Sequence, residues 1–260
     1  SMQPVLHVRA FEDKYIWVIR GNSQTHEALV DPGDAAPVLA ALPRLGITPT
    51  AILCTHHHGD HVGGIPELLQ HFPGLPVYGP AHENIDTLTH PLHDGDEVRL
   101  PDLGLNLRVL EVPGHTRGHL AYYGHGWLFC GDTLFSAGCG RLFEGTAAQM
   151  HASLTRLAAL PGDTQVYCAH EYTLANLRFA QAVEPDNADI AAYRREVEAR
   201  LAHDEPTLPS TLEREWRINP FLRSAVPEVR AKIEEHAGIV LPDSLSVFAA
   251  VRSWKDNFRG

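Results

Sequence analysis

The stretch Thr55-His56-His57-His58-Gly59-Asp60-His61 places four histidines and a carboxylate within seven residues, directly after the apolar run Ala51-Ile52-Leu53-Cys54. An apolar run that breaks into polar donors reads as a buried strand ending in a loop. Imidazole nitrogens and carboxylate oxygens are the donors that zinc, iron and manganese accept. A tight turn at the strand end lets His56 and His58 point one way while Asp60 and His61 point another, so two metal ions are expected. The competing reading is a solvated His-rich loop, and the 17 histidines of the chain lend it some weight.

Three downstream sites repeat the pattern of a predicted strand opening into a loop that begins with a donor. His115 follows the alternating Leu105-Asn106-Leu107-Arg108-Val109-Leu110, Asp132 follows Trp127-Leu128-Phe129-Cys130-Gly131, and His170 follows Gln165-Val166-Tyr167-Cys168-Ala169. Strand ends that deliver single donors from distant parts of a chain are how a sheet edge assembles one site.

The order H-x-H-x-D-H, then a lone His, an Asp and a last His, resembles the metallo-β-lactamase superfamily. Within it the chain is similar to the glyoxalase II (hydroxyacylglutathione hydrolase) family. The motifs that carry this are Gly131-Asp132-Thr133-Leu134-Phe135, Gly138-Cys139-Gly140-Arg141, Glu144-Gly145-Thr146, His170-Glu171-Tyr172-Thr173 and Asn219-Pro220-Phe221. The resemblance implies an α/β fold, a four-layer αββα sandwich over residues 2–172, followed by a helical substrate-binding domain over 173–260. It implies that His56, His58 and His115 hold one divalent ion, that Asp60, His61 and His170 hold the other, and that Asp132 bridges them. Zinc is the expected metal, with iron and manganese as alternatives. The implied reaction is hydrolysis of S-D-lactoylglutathione to D-lactate and glutathione by a hydroxide shared between the metals and oriented by Asp60 and Asp132. Substrate contacts are implied for Arg141, Tyr172 and the pair Arg252 and Lys255. One departure stands out, because relatives can carry Tyr two residues after the basic residue of the G-C-G motif, where this chain has Phe143. The alternatives are a persulfide dioxygenase of the same superfamily, which would lack the helical third, and a metal-binding protein without turnover.

Composition narrows the partners. With 32 acidic and 21 basic residues the net charge is -11, which argues against a nucleic-acid partner, since phosphate binding relies on clustered Lys and Arg. A small anionic thioester needs only a few local cations. The apolar runs fall short of the roughly 18 residues a membrane span needs, and residues 3–7 show no export signal. Ser1, ahead of Met2, reads as a residue left by protein production. The four cysteines lack C-x-x-C spacing and read as small core residues of a reducing cytosol. A soluble monomer is expected.

Periodicity predicts strands over 15–19 and 28–30, a helix over 35–45 after the Asp31-Pro32-Gly33 turn, a helix over 65–72, a short strand at 76–79 and a helix over 147–160. Asp31 reads either as an orienter of a ligating histidine or as an Asx-turn acceptor. His82, His90 and His93 are expected on a surface loop, and His119 is not expected to be a ligand. Beyond Tyr172 only helical spacing recurs, with Pro227 and Asp243 placed where helix N-termini favour them. Leu245, Phe248, Arg252 and Lys255 share one face of the last predicted helix.

Overall fold

The computed structural model describes residues 3–260; Ser1 and Met2, and with them the reading of Ser1, lie outside the described residues. Two compact units are present, Ser1–Glu111 with Thr116–Gly131, and Val112–His115 with Asp132–Gly260.

The first unit runs β1 (Val5–Ala10), β2 (Lys14–Ile19), β3 (His26–Val30), α1 (Ala35–Leu45), β4 (Thr48–Leu53), α2 (Gly59–Val62), α3 (Ile65–His71), β5 (Val77–Pro80), β6 (His90–Leu92), β7 (Glu97–Leu100), β8 (Leu105–Glu111), β9 (Leu120–Gly124) and β10 (Trp127–Gly131). Strands β1 to β6 form a sheet in sequence order, antiparallel from β1 to β3 and parallel from β3 to β6. A parallel pair needs a crossover, and α1 supplies it between β3 and β4. Asp34 caps α1 by accepting from the Ala36 N–H, and Gly46, at φ 68°, ends it in the left-handed conformation. Ile16, Val18, Leu29 and Ile52 of the sheet pack with Val38 and Ala41 of α1 and Ile65 and Leu68 of α3. Strands β7 to β10 form an antiparallel meander in which Leu105, Leu107 and Val109 are buried and Asn106 and Arg108 between them are exposed.

The second unit contains the hairpin β11 (Leu134–Phe135) and β12 (Gly138–Cys139), then α4 (Ala147–Ala158), β13 (Gln165–Cys168), α5 (Thr173–Val183), α6 (Ala188–Ala202), β14 (Ser210–Thr211), α7 (Leu212–Ile218), α8 (Pro227–Ala237) and α9 (Ser244–Asp256). Leu177 and Ala180 of α5 pack with Ile190, Tyr193 and Val197 of α6 and Ile218 of α7. Glu215 is fully buried at the hub of the unit, where it accepts from Ser136 Oγ, the Ala137 N–H, Ser210 Oγ and Asn219 Nδ2. Burial pushes its carboxyl pKa up, while those four donors pull it back. Asn219 also donates to the carbonyls of Phe135 and Gly138, so the Asn-Pro-Phe motif fastens the hairpin from the helical side.

Two elements differ from the sequence expectation. His90 lies in β6, aligned by parallel pairing with β5 where local propensity predicts a loop. A two-residue strand, β14, interrupts the helical third because Ser210 pairs with Val166 of β13. All four cysteines are free and buried, and among the described residues no helix is long and apolar enough to cross a membrane.

Candidate functional site

In the first unit the donors lie at the carboxyl end of the parallel strands. The pairing of Val30 with Leu53 sets Asp31, just past β3, beside the loop that follows β4. Ligands favour this end of a parallel sheet. Asp31 has φ 53° and is buried, and Lys14 Nζ donates to its carbonyl at 2.8 Å. Its Oδ1 accepts from the Thr55 N–H at 2.7 Å, and its Oδ2 accepts from Thr55 Oγ1 at 2.6 Å and His61 Nδ1 at 2.9 Å. The Thr55 hydroxyl, whose hydrogen is directed at Asp31, accepts from His56 Nδ1 at 2.9 Å. One carboxylate therefore fixes the Nδ1–H tautomer of His61 directly and of His56 through Thr55. Both rings then present the lone pair of Nε2, the arrangement that orients ligating histidines. Of the two readings of Asp31, the bonds favour the orienter.

The rest of the loop is held from the other side. Glu83, which no sequence motif marks, accepts from the His57 N–H through Oε1 and from the Gly118 N–H through Oε2, both at 2.8 Å. His58 and Asp60 are half-buried at the start of α2. The rings of His58 and His119 lie 4.8 Å and 4.4 Å from that of His56. His119 is fully buried and stacks on His56 without joining any group of donor atoms among the described residues. Gly33 packs so closely that a Cβ there would sit 1.7 Å from the Asp60 carbonyl oxygen, and only glycine leaves that backbone in place.

In the second unit Asp132 is 6% exposed and turns one oxygen toward each of two histidines, with Oδ2 at 3.3 Å from His115 Nε2 and Oδ1 at 3.4 Å from His170 Nε2. His115 Nδ1 donates to the Arg141 carbonyl at 2.9 Å, so its Nε2 faces Asp132 as a lone pair. Two acceptors facing one another repel unless a cation lies between them. Donors bonded at about 2.0 Å to one tetrahedral ion stand roughly 3.3 Å apart, which matches both separations. His61 Nε2 and Asp60 Oδ2 in the first unit, at 3.6 Å, repeat the relation. The donor sets thus fit divalent metal ions.

The substrate-side residues also belong to the second unit. The Arg141 side chain is exposed, whereas its carbonyl carries the bond to His115. Tyr172 stacks flat on His170 at 4.8 Å, with Phe135 packed edge-on to both rings, and Phe143 is 63% exposed with its ring 5.2 Å from that of His115. Arg252 is buried on α9 and bonded to the Cys139 carbonyl and Asp256. Lys255 is half-buried, and its ammonium holds its proton less tightly than usual, first because of burial and then because of the charges of Arg252 and Arg141.

Comparisons with known proteins bear on both units. Residues 11–170 match the metallo-beta-lactamase superfamily, and residues 171–258 match the hydroxyacylglutathione hydrolase C-terminus. The hydroxyacylglutathione hydrolase of Nitrosomonas eutropha is 55% identical over 99% of this chain and 100% of its own length. The crystal structure of ETHE1 from Myxococcus xanthus superposes with a TM-score of 0.66 at 25% identity, covering 97% of this chain and 98% of its own. A protein crystallised in a di-iron-bound form gives a TM-score of 0.58 at 28% identity over 85% of this chain and 100% of its own. Fold and donor chemistry together are those of the metallo-β-lactamase superfamily. Within it, the chain belongs to the hydroxyacylglutathione hydrolase family.

Proposed function

We propose that the protein is a dinuclear-metal thioesterase that hydrolyses S-D-lactoylglutathione to D-lactate and glutathione. His56, His58 and His115 would hold one ion, Asp60, His61 and His170 the other, and Asp132 would serve both. The observation that carries this is the Asp132 carboxylate, whose two oxygens address two different histidines at ion-sharing distances. Zinc is the proposed metal, with iron and manganese suiting the same five histidines and two aspartates. When bound, the ions would supply a water acidified to about 7, far below bulk water, and a Lewis acid for the thioester carbonyl.

The chain's own residues do the remaining work. Asp60 and Asp132 orient the attacking water, and Asp31 and Thr55 keep the histidine lone pairs aimed. A thiol of pKa about 8.5 departs without a strong general acid, so a thioester asks for no further catalytic group. Residues 173–260 form the substrate-binding domain, where Lys255 and the Arg141 side chain supply positive charge for a carboxylate and Tyr172 offers a ring face and a hydroxyl. The match of residues 171–258 to the hydrolase C-terminus supports this reading over a persulfide dioxygenase. The four free, buried cysteines suit a reducing cytosol, and we take the chain to act there as a monomer.

The test is an assay of lactoylglutathione against a panel of acyl thioesters, with elemental analysis of the same protein. Turnover of the glutathione thioester with two metals per chain is expected; oxygen uptake with a glutathione persulfide in place of thioester hydrolysis would overturn the reading.

A further inference from the structure

Lys14 opens β2, a strand buried along its whole length, and is itself only 1% exposed. A lysine in such a place forfeits the hydration of its ammonium, so its partners within the chain have to compensate. Its Nζ donates to the Asp31 carbonyl at 2.8 Å and to the Tyr15 carbonyl at 3.3 Å. Strand register brings these groups together. Trp17 pairs with Val30 across the antiparallel β2–β3 ladder, so the chain leaving β3 at Asp31 passes the start of β2.

What the ammonium holds is the turn on which the first unit's donors depend. Asp31 has φ 53°, in the left-handed region that a residue with a side chain occupies only at a cost. The same carbonyl that takes the Lys14 bond accepts from the Gly33 N–H at 2.8 Å, which closes the turn Asp31-Pro32-Gly33. The Pro32 carbonyl accepts from the Gly64 N–H at 3.1 Å, and Gly33 lies against the Asp60 backbone. The turn is thus gripped by the segment around α2 on one side and by Lys14 on the other. Its conformation decides where the Asp31 carboxylate points, and that carboxylate binds Thr55 and His61. An ammonium makes a stronger bond to a carbonyl than a neutral amide does, which suits a carbonyl held in a costly conformation.

We propose that Lys14 is a positioning residue for the metal centre. By fixing the left-handed turn at Asp31 it sets the direction of one carboxylate and, through it, of the His61 and His56 rings. The proposal rests on the dinuclear-hydrolase reading for the identity of these two histidines as ligands.

The experiment uses the full-length protein, wild type and the variants Lys14→Met, Lys14→Gln, Asp31→Ala, the double variant Lys14→Met/Asp31→Ala and Glu83→Gln. Zinc is titrated against a competing chelator into metal-stripped protein, the His61 ring N–H is followed by NMR in the same metal-free protein, and melting is recorded as the control for folding. Partners that orient ligating histidines control metal affinity by about 10- to 100-fold. Lys14→Met, similar in length but without donor or charge, should weaken both zinc sites by about 10-fold and shift and broaden the His61 Nδ1 proton. Lys14→Gln keeps a neutral N–H donor and should recover part of both. A residue that acts through Asp31 has nothing left to act on once that side chain is gone. Lys14→Met should therefore add less than about 3-fold to the zinc loss of Asp31→Ala. Glu83→Gln loosens the His57 and Gly118 N–H groups instead, and should lower melting while leaving zinc affinity within about 3-fold and the His61 proton in place.

If Lys14→Met lowers melting but leaves zinc affinity and the His61 proton as in wild type, Lys14 is a structural residue and the proposal fails. A loss confined to one zinc site, or a full further loss in the Asp31→Ala background, overturns it as well. Should Lys14→Met not fold, Lys14→Gln decides on the same two readouts: a smaller loss at both sites supports the proposal, and wild-type values refute it. A wild-type chain that binds fewer than two zinc ions would refute the dinuclear reading, while the His61 proton of the metal-free variants still reports whether Lys14 holds Asp31.

Discussion

The donors of the first unit come from one loop, His56 to His61, whereas those of the second come from positions 115, 132 and 170. Their supports differ as much as their spacing. In the first unit a single side chain, Asp31, accepts from Thr55 and His61 and reaches His56 through the Thr55 hydroxyl. In the second, a backbone carbonyl steadies His115, a tyrosine face covers His170, and the buried Arg252 donates to the Cys139 carbonyl. Each unit also uses one glycine to bring backbone against a donor residue, Gly33 on Asp60 and Gly140 on Asp132. A compact motif can be oriented by one carboxylate, while dispersed donors need one support apiece. The first arrangement concentrates risk in Asp31, and the second spreads it.

The largest expected effect falls on the residue proposed to serve both ions. Asp132→Ala should cost both metals and lower kcat by at least about 10²- to 10³-fold, the scale of removing a main electrostatic stabiliser. His58→Ala should release one ion only. If elemental analysis of Asp132→Ala finds two ions at full occupancy, the carboxylate does not serve both ions. Next comes Asp31→Ala, which leaves buried donors of Thr55 and His61 without their acceptor. Metal affinity should fall by about 10- to 100-fold and Tm by roughly 5–10 °C. Were zinc titration to show only one of the two sites weakened, Asp31 would not serve both His56 and His61, and the contrast between the units would fail.

Legibility in the sequence follows the same division. The His56–His61 cluster declares itself because its donors are contiguous after an apolar strand. His115, Asp132 and His170 are marked only by their place at the ends of predicted strands, and it is their order, matched to a family, that gives them a role. The strands and helices that place them follow from alternation and 3.6-residue spacing, as in β8, α1 and α4. The supports were mostly hidden. Glu83 has no motif, and nothing in its spacing from His57 and Gly118 signals that one carboxylate closes on both N–H groups. Arg141 attracts attention for its charge, yet the bond to His115 comes from a carbonyl that any residue possesses. Strand β14, with two residues, is set by its partner in β13 rather than by its own propensity.

Glu83 gives a sharper and smaller test of how the first unit's loop is held. Glu83→Gln keeps the shape but replaces one carboxylate oxygen with an amide NH₂ that faces an N–H of His57 or Gly118. Charge-assisted bonds contribute about 1.5–3 kcal/mol each, so Tm should fall by roughly 3–8 °C. Metal affinity should change by less than about 3-fold, because Asp31 and Thr55 still fix the rings. Calorimetry alongside zinc titration checks both numbers, and a metal loss as deep as that of Asp31→Ala would show that Glu83 shares the orienting role.

The smallest effect concerns the second unit alone, at Phe143. Its ring is 63% exposed and edge-on to His115, so an added hydroxyl meets solvent rather than a packed wall. The family resemblance implies a Tyr at this place in relatives, with its hydroxyl toward glutathione; the Phe ring has no donor to offer. A neutral hydrogen bond contributes about 0.5–1.5 kcal/mol net, which corresponds to roughly 2- to 10-fold in binding. Phe143→Tyr should therefore lower KM by that factor and leave kcat, Tm and metal content almost unchanged. Because the aromatic edge on His115 survives the substitution, any change in zinc affinity would show that this ring, and not only the Arg141 carbonyl, steadies the histidine. A KM that rises at constant Tm would mean that glutathione lies against the ring face, where a hydroxyl intrudes, and that the pose implied by the family does not hold at this position.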